Sequence, residues 1–331
     1  MATIKEVAAL AGVSFKTVSR VLNDDANVSS ATREKVLHAI EQLDYRPNLA
    51  ARYMRTGRSQ LIGFITDEIA TSPFAGDVIR GAQHEAWQQQ KLLFVINTDL
   101  DPDIEQEAIS MMLERRVEGI IYATMYHRPV EPSVSIRDVP AVLLDCFVED
   151  GSLPSVVPDE TKGGRVATEA LLKQGHRRIG FLNYIKPIPA SLGRLEGYKQ
   201  ALAQYGIPYD GSLVCTDEGD AGGGYRCALS LLERANRPSA LFCFNDWMAM
   251  GAYDAIRKLG LQIPDDVAVV GFDNMEIIAA QLHPPLTTMQ LPHYDMGQWA
   301  VRRLIEHVEN PVDGQPAQFL MDCPLIERQS T

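Results

Sequence analysis

From Gln60 onward the chain repeats one pattern: a short apolar run of strand length, then a stretch with helical periodicity. The runs are LIGFIT (61–66), LLFVIN (92–97), GIIYAT (119–124), AVLLDCF (141–147), RIGFLN (178–183), ALFCFN (240–245) and VAVVGFD (267–273). Near-continuous apolar runs are strands buried on both faces. Their alternation with helices calls for parallel sheets covered on either side. Seven such units in residues 60–331 are better divided between two sheets than forced into one. Parallel sheets place ligand contacts beyond the carboxyl ends of their strands. Polar residues gather there in this chain: Thr66 and Asp67, Asp145, Asn245 with Asp246, and Asp273. An Asn or Asp at a strand end also caps the next helix, and Asp246 and Asn274 are expected to do so.

The first 45 residues have a different grammar. Thr3 and Glu6 have capping-box spacing, and Ile4, Val7, Ala8 and Ala11 recur on one helical face. Gly12 stands where a left-handed cap ends that helix, and Ser14 can cap the next. There Val18, Val21 and Leu22 form the inward side, so several of Phe15, Lys16, Thr17, Ser19 and Arg20 point outward. A third helix from about Ser29 turns Val36, Ile40 and Leu43 inward. Two short helices joined by a tight turn are how a small domain presents one helix to the DNA major groove. Residues 1–60 carry nine Lys/Arg and six Asp/Glu, whereas the remainder carries 22 and 37. A basic head on an acidic body confines nucleic-acid contact to one end.

The junction 45–58, YRPNLAARYMRTGR, has Pro47 to stop the preceding helix and Asn48 to cap another. The apolar and basic residues that follow span only about two turns, too short for a helix to stand without a partner.

Other function classes find little support. Gly222-Gly223-Gly224 lacks the Lys-Ser/Thr of a phosphate-binding loop, no Ser-His-Asp arrangement or metal-ligand spacing stands out, and no cofactor or metal is expected. The five cysteines form no C-x-x-C and are expected to be reduced, mostly buried thiols. No run approaches the ~20 apolar residues of a membrane span. Lys5 and Glu6 interrupt any leader, so the cytoplasm is the expected compartment.

From Val7 to Asn23 the chain reads V-A-x-x-A-G-V-S-x-x-T-V-S-R-V-L-N without a gap, and this stretch resembles the DNA-binding headpiece of the LacI/GalR family of bacterial repressors. The resemblance implies an all-α helix-turn-helix headpiece (1–46), a hinge helix (47–58) and a periplasmic-binding-protein-like α/β core (59–331). The core would have one lobe at about 60–158 plus 290–319 and another at 159–289 plus 320–331, joined by three crossovers. It implies that Phe15 and Lys16 read bases, that Arg20 contacts a base or phosphate, and that Thr17 and Ser19 meet phosphates, with Ser14, Asn23 and Ala51 in the same DNA-contacting set. Met54 stands where the family usually has a leucine wedged into the minor groove, flanked by Arg52 and Arg55.

In the cleft the resemblance points to Asp67, Ser72, Pro73, Phe74, Asp145, Asp159, Arg194, Asp220, Asn245, Asp273 and His293 as effector contacts. The chain departs from many relatives by placing Ala221, after Asp220, where an aromatic stacks on the ligand; Leu291 and His293 stand at cleft-lining positions. The strings LPSVVPDE, PPLTTMQLPH and CPLIERQST look like sucrose-operon regulators. The implied protein is a homodimeric repressor of near-palindromic operator DNA, released by sucrose, a fructoside or a sugar phosphate. It would lack a tetramerising coil, and its dimer contact would lie near 76–90 and 102–115. A sugar-binding protein without a DNA role, and a regulator whose ligand acts as co-repressor, stay open on sequence.

Overall fold

The structure, a computed structural model, describes residues 2–22, 25–45, 58–69, 76–309 and 318–331. The chain divides into two compact units, Met1–Ser59 and Gln60–Thr331.

In the first unit, α1 (Ile4–Ala11), α2 (Phe15–Leu22) and α3 (Ser30–Gln42) close on a small core of Val7, Ala8, Val18, Val21, Val36 and Ala39. Local chemistry sets every turn. Thr3 and Glu6 make both halves of the capping box, and Gly12 ends α1 at φ 66°. Ser14 Oγ accepts from the Thr17 amide at 3.1 Å, and the Ser29 side chain caps α3. Leu22, expected inward, is exposed; Ala39 joins Val36 in the core instead, while Ile40 and Leu43 are only partly buried.

The second unit is two-lobed. Its elements in chain order begin with β1 (Leu61–Thr66), α4 (Gly76–Gln88), β2 (Leu92–Asn97), α5 (Pro102–Glu114), β3 (Ile120–Pro129), β4 (Ala141–Phe147) and β5 (Ser155–Pro158). Then come α6 (Glu160–Lys173), β6 (Ile179–Tyr184), α7 (Pro189–Gln204), β7 (Val214–Asp217), α8 (Ala221–Leu232), β8 (Ala240–Cys243), α9 (Asp246–Lys258) and β9 (Ala268–Asp273). The series ends with α10 (Glu276–Ala279), β10 (Thr287–Gln290), α11 (His293–Glu309), β11 (Gln318–Met321) and β12 (Leu325–Ile326).

One sheet runs β11-β5-β4-β3-β1-β2 and the other β12-β10-β9-β8-β6-β7. All pairings are parallel except β10 with β12. The chain therefore passes between lobes after Pro158, after Gln290 and after Met321. The last passage comes slightly later than the expected boundary at 319, because Leu320 and Met321 pair with Val157 and Pro158 in the first sheet.

Helices pack in pairs through glycine. A methyl on Gly251 of α9 would fall onto the Ala221 carbonyl of α8, and one on Gly224 of α8 onto the Met248 carbonyl of α9. Gly81 and Gly297 do the same for α4 and α11. Such backbone approach leaves no room for Cβ.

One expectation fails among the cysteines. Cys215 on β7 and Cys227 on α8 are joined as a disulfide, Cα–Cα 5.5 Å, and only Cys146, Cys243 and Cys323 are free and buried. The twelve-residue separation matches no motif; the return of α8 against β7 brings the pair together. Among the described residues no helix is long and apolar enough to cross a membrane, and no cluster could hold a metal ion.

Candidate functional site

Two regions carry chemistry. On α2, Val18 and Val21 are buried, whereas Ser14, Phe15, Lys16 and Arg20 are exposed and Thr17 and Ser19 half-exposed. Phe15, an aromatic with 55% of its surface open, costs a lone domain an apolar exposure that a groove would cover. The helix carries Lys16 and Arg20 and no acid. Arg20 lies 3.7 Å from Asp25 but keeps a largely exposed side chain. Asn23, Ala51, Arg52, Met54 and Arg55 lie outside the described residues.

The second region is a cleft of about 520 Å³ between the lobes of the second unit. Strand ends supply several of its polar groups, as parallel topology favours. Arg194 is its centre. The α7 side chain is 3% exposed; its Nε donates to Glu160 Oε2 at 2.7 Å and Nη2 to Glu160 Oε1 at 3.4 Å. Nη1 donates to the Phe244 carbonyl and lies 3.7 Å from Asp273 Oδ1. The guanidinium sits 3.6 Å from the Phe272 ring centroid and 4.4 Å from that of Phe244. Burial opposes its charge, but Glu160 and Asp273 outweigh burial and raise its pKa. Removing one partner of such a pair strands a charge in a low-dielectric site.

Asp145 lies two residues before the end of β4, in the left-handed region at φ 56°, and Asp273 ends β9 at φ 110°. Both line the cleft. Burial pushes both carboxyls well above the ordinary carboxylate value, with Glu160 adding to the effect at Asp145 and Arg194 opposing it at Asp273. Asp145 Oδ1 is buried and has no hydrogen-bond partner.

The expected contacts separate on inspection. Asp145, Arg194, Asp220, Asn245 and Asp273 all line the cleft, as does Leu291. Asp220 and Asn245 also cap α8 and α9, accepting from Gly223 N and Met248 N. Asp246 is not the cap; it is fully buried and accepts from Thr288 Oγ1 at 2.6 Å and Met275 N at 2.7 Å. Asn274 does not cap a helix either, its Oδ1 accepting from Arg328.

Three of the expected contacts are not among the residues that line this cleft. Asp159 caps α6 through the Lys162 amide, and its neighbour Glu160 is the residue that lines the cleft. Asp67 is not among the lining residues; Oδ1 accepts from Met125 N at 2.9 Å and Oδ2 pairs with Arg128 at 3.0 Å. His293 is buried at the start of α11 and is not among the lining residues. Ser72, Pro73 and Phe74 lie outside the described residues.

Sequence reasoning missed Glu160, Tyr126, His127, Phe244 and Trp247, which also line the cleft. For Glu160 the signal was its place one residue after a crossover. For Tyr126 and His127 no local signal existed, because a register shift in β3 between Ala123 and Arg128 turns them toward the cleft.

Comparison with known proteins is consistent along the chain. Residues 3–48 match the model for bacterial regulatory proteins of the lacI family, and residues 59–329 that for periplasmic binding proteins and the sugar binding domain of the LacI family. The HTH-type transcriptional regulator RegA of Clostridium saccharobutylicum is 36% identical over 334 residues, covering 100% of both chains. The ribose operon repressor of Escherichia coli K12 is 35% identical with the same coverage. The lac repressor dimer bound to operator and the anti-inducer ONPF superposes with a TM-score of 0.76 at 29% identity, over 99% of this chain and 98% of that one.

Proposed function

The chain belongs to the LacI family of bacterial transcriptional regulators, and from that premise we propose that it is a homodimeric repressor of a carbohydrate-utilisation operon, released from near-palindromic operator DNA by a neutral sugar. One observation carries this reading: a single chain joins an exposed basic helix that bears an open aromatic to a cleft of buried, incompletely bonded polar groups. Lys16 suits guanine O6 and N7, and the Phe15 ring suits a thymine methyl. Ser14, Thr17, Ser19, Arg20 and Asn23 complete the headpiece contacts. Ala51, Arg52, Met54 and Arg55 act in the minor groove, where Met54 supplies the apolar wedge.

Charge selects the effector class. Among the described lining residues Asp145, Glu160, Asp220 and Asp273 face the single cation Arg194, whose fork Glu160 already holds. A phosphate there would meet acids and a spent cation, so a sugar phosphate is disfavoured. A neutral polyol donates to the carboxylates and lays an apolar face on Phe244 or Trp247. Sucrose or a fructoside is the favoured member of the class, supported by the strings LPSVVPDE, PPLTTMQLPH and CPLIERQST.

Exposed Trp87, Leu92, Leu100 and Ile104 lie on or beside α4, β2 and α5 and support a dimer contact there. Sugar bound in the cleft biases lobe closure and lowers operator affinity; by linkage, operator lowers sugar affinity by the same factor.

The test is selection of DNA from a random library by the full chain, then anisotropy titration of the winning duplex with sucrose, D-fructose, D-ribose and cellobiose. A several-fold loss of DNA affinity with one sugar supports the proposal; a gain would make that sugar a co-repressor. Failure to enrich any sequence, or indifference to every sugar, would overturn it.

A further inference from the structure

The Cys215–Cys227 bond stands where a DNA-binding regulator has little use for a permanent one. Such a protein works in a compartment that keeps thiols reduced, where a disulfide is usually transient or redox-sensing. The bond also occupies a sensitive place. Among the described residues β7 is the outer strand of its sheet and pairs with β6 alone. Only residues 218–220 separate it from α8, and this turn brings Gly219 and Asp220 into the cleft wall. Cys215 lies on the strand side of the turn and Cys227 on the helix side, Cα–Cα 5.5 Å. The bond therefore closes a loop around two residues of the cleft.

Two properties of the pair suit reversal. The sulfurs differ in access: Cys227 is fully buried, whereas Cys215 is half-buried, so a small thiol or disulfide reaches Cys215 first. Ser230 Oγ lies 3.6 Å from Cys215 Sγ and can donate to a thiolate there. The second property is that other contacts also hold α8 beside β7. Arg226 donates twice to Asp217, at 2.8 and 2.6 Å. Asp220 caps α8 through the Gly223 amide, and Asn245 Nδ2 donates to the Gly219 carbonyl at 2.8 Å. Cys227 sits in the core of the lobe with Cys215 packed against it. Reduction thus leaves two thiols side by side, and rejoining them costs little loop-closure entropy.

We propose that Cys215 and Cys227 are a redox-active pair that exchanges with small disulfides of the glutathione type, and that its state sets how firmly the 218–220 turn is held and thereby how tightly the cleft binds its effector. Oxidation runs by two exchanges. The Cys215 thiolate attacks one sulfur of the small disulfide, forming a mixed disulfide and expelling a small thiolate. The Cys227 thiolate then attacks the Cys215 sulfur, forming the protein bond and expelling the second. Two electrons and the two cysteine protons pass to the small disulfide, which leaves as two thiols; excess small thiol reverses both steps. The bonded form orders Gly219 and Asp220 in advance, so less conformational entropy is lost when a ligand binds. The consequence for sugar affinity rests on the proposal that the cleft is a sugar site; the exchange and its effect on the turn do not.

The experiment equilibrates full-length wild type, Cys215→Ser and Cys227→Ala in buffers running from glutathione alone to glutathione disulfide alone. Acid quench, alkylation and mass spectrometry read the bond. Hydrogen exchange reads the 218–220 turn without sugar, and calorimetry reads sucrose, D-fructose, D-ribose and cellobiose at both extremes. In wild type the bonded fraction should pass through one half within the series. The turn amides should exchange several-fold faster in the reduced form, and the best-bound sugar should bind about 3- to 10-fold more weakly. Both variants should give the reduced values throughout. A bond that survives glutathione alone, or never forms in glutathione disulfide alone, overturns the exchange. Equal turn exchange in the two states, equal sugar affinity, or a redox response that persists in both variants overturns the switch and leaves the sugar site standing. Should wild type bind none of the four sugars in either state, the sugar-site proposal falls, and the bond titration and turn exchange still decide this one.

Discussion

Asp246→Asn gives a quantitative test of how the second lobe is assembled. The Asp246 carboxyl is fully buried at the start of α9 and ties Thr288 of β10 and the Met275 amide after β9 to that helix. Burial pushes its pKa from 3.8 up to about 7, against the bonds from Thr288 and Met275, which act to lower it. The native state therefore keeps a proton that the unfolded chain releases between those values. With more protons bound in the native state, this group's contribution to stability is complete below the unfolded pKa. It is lost as pH rises through about 7 and is flat above. Between about pH 5.5 and 7 the window is roughly 1.5 pH units, which at 1.36 kcal/mol per unit amounts to about 2 kcal/mol.

Asparagine cannot ionise, so the variant carries a constant offset from its mismatched amide and lacks that slope. Urea unfolding at fixed protein concentration, followed by the fluorescence of the adjacent Trp247, supplies both stabilities across pH. The wild-type advantage should shrink by about 2 kcal/mol between pH 5.5 and 8. Parallel curves over that range would show that Asp246 is ionised throughout, and the argument from burial would fail. Asp145 is raised as well and remains in both proteins, so its effect largely cancels in the difference; Asp246 adds to the rise at Asp273, so the difference reports the two carboxyls titrating together.

Glu160→Ala should strand the Arg194 charge, with Asp273 only 3.7 Å away as compensation. The expected cost is about 3–5 kcal/mol, read as a fall of several degrees in Tm; an unchanged Tm refutes the buried pair. Gly251→Ala drives a methyl onto the Ala221 carbonyl and should destabilise by about 1–3 kcal/mol or more. Gly76→Ala, with nothing among the described residues within 4 Å of the new carbon, should be neutral or better by denaturant melt, and equal effects at the two sites would contradict the helix packing. Alkylation of denatured, unreduced protein should modify three cysteines, Cys146, Cys243 and Cys323, rising to five after reduction. Five without reductant would exclude the Cys215–Cys227 bond.

Features that depend on neighbours in the chain were legible without coordinates. The Thr3–Glu6 box, the Gly12 cap and the Ser14 cap are contacts across three or four residues, and their chemistry is written in residue type and spacing. The parallel sheets were legible for a similar reason, since a strand buried on both faces must be apolar along its length. The carboxylates Asp145 and Asp273, at or near strand ends, followed from topology.

What escaped depends on partners far apart in sequence. Asp159 and Glu160 are adjacent acids, and only the arrival of Arg194, 34 positions on, makes the second a cleft residue. Asn245 and Asp246 are equally adjacent; Thr288 and Met275 decide that the first caps and the second is buried. Tyr126 and His127 enter the cleft because Asp67, about 60 positions earlier, pins both sides of an irregular strand. Sequence by itself determined the secondary structure, the family and several of the polar residues that line the cleft, because those follow from periodicity, local hydrogen bonding and the topology of parallel sheets. The tertiary structure alone decided which of two neighbouring acids faces the cleft, which cysteines meet and which polar atoms stay unpaired, because burial and pairing are set by what the rest of the chain brings alongside.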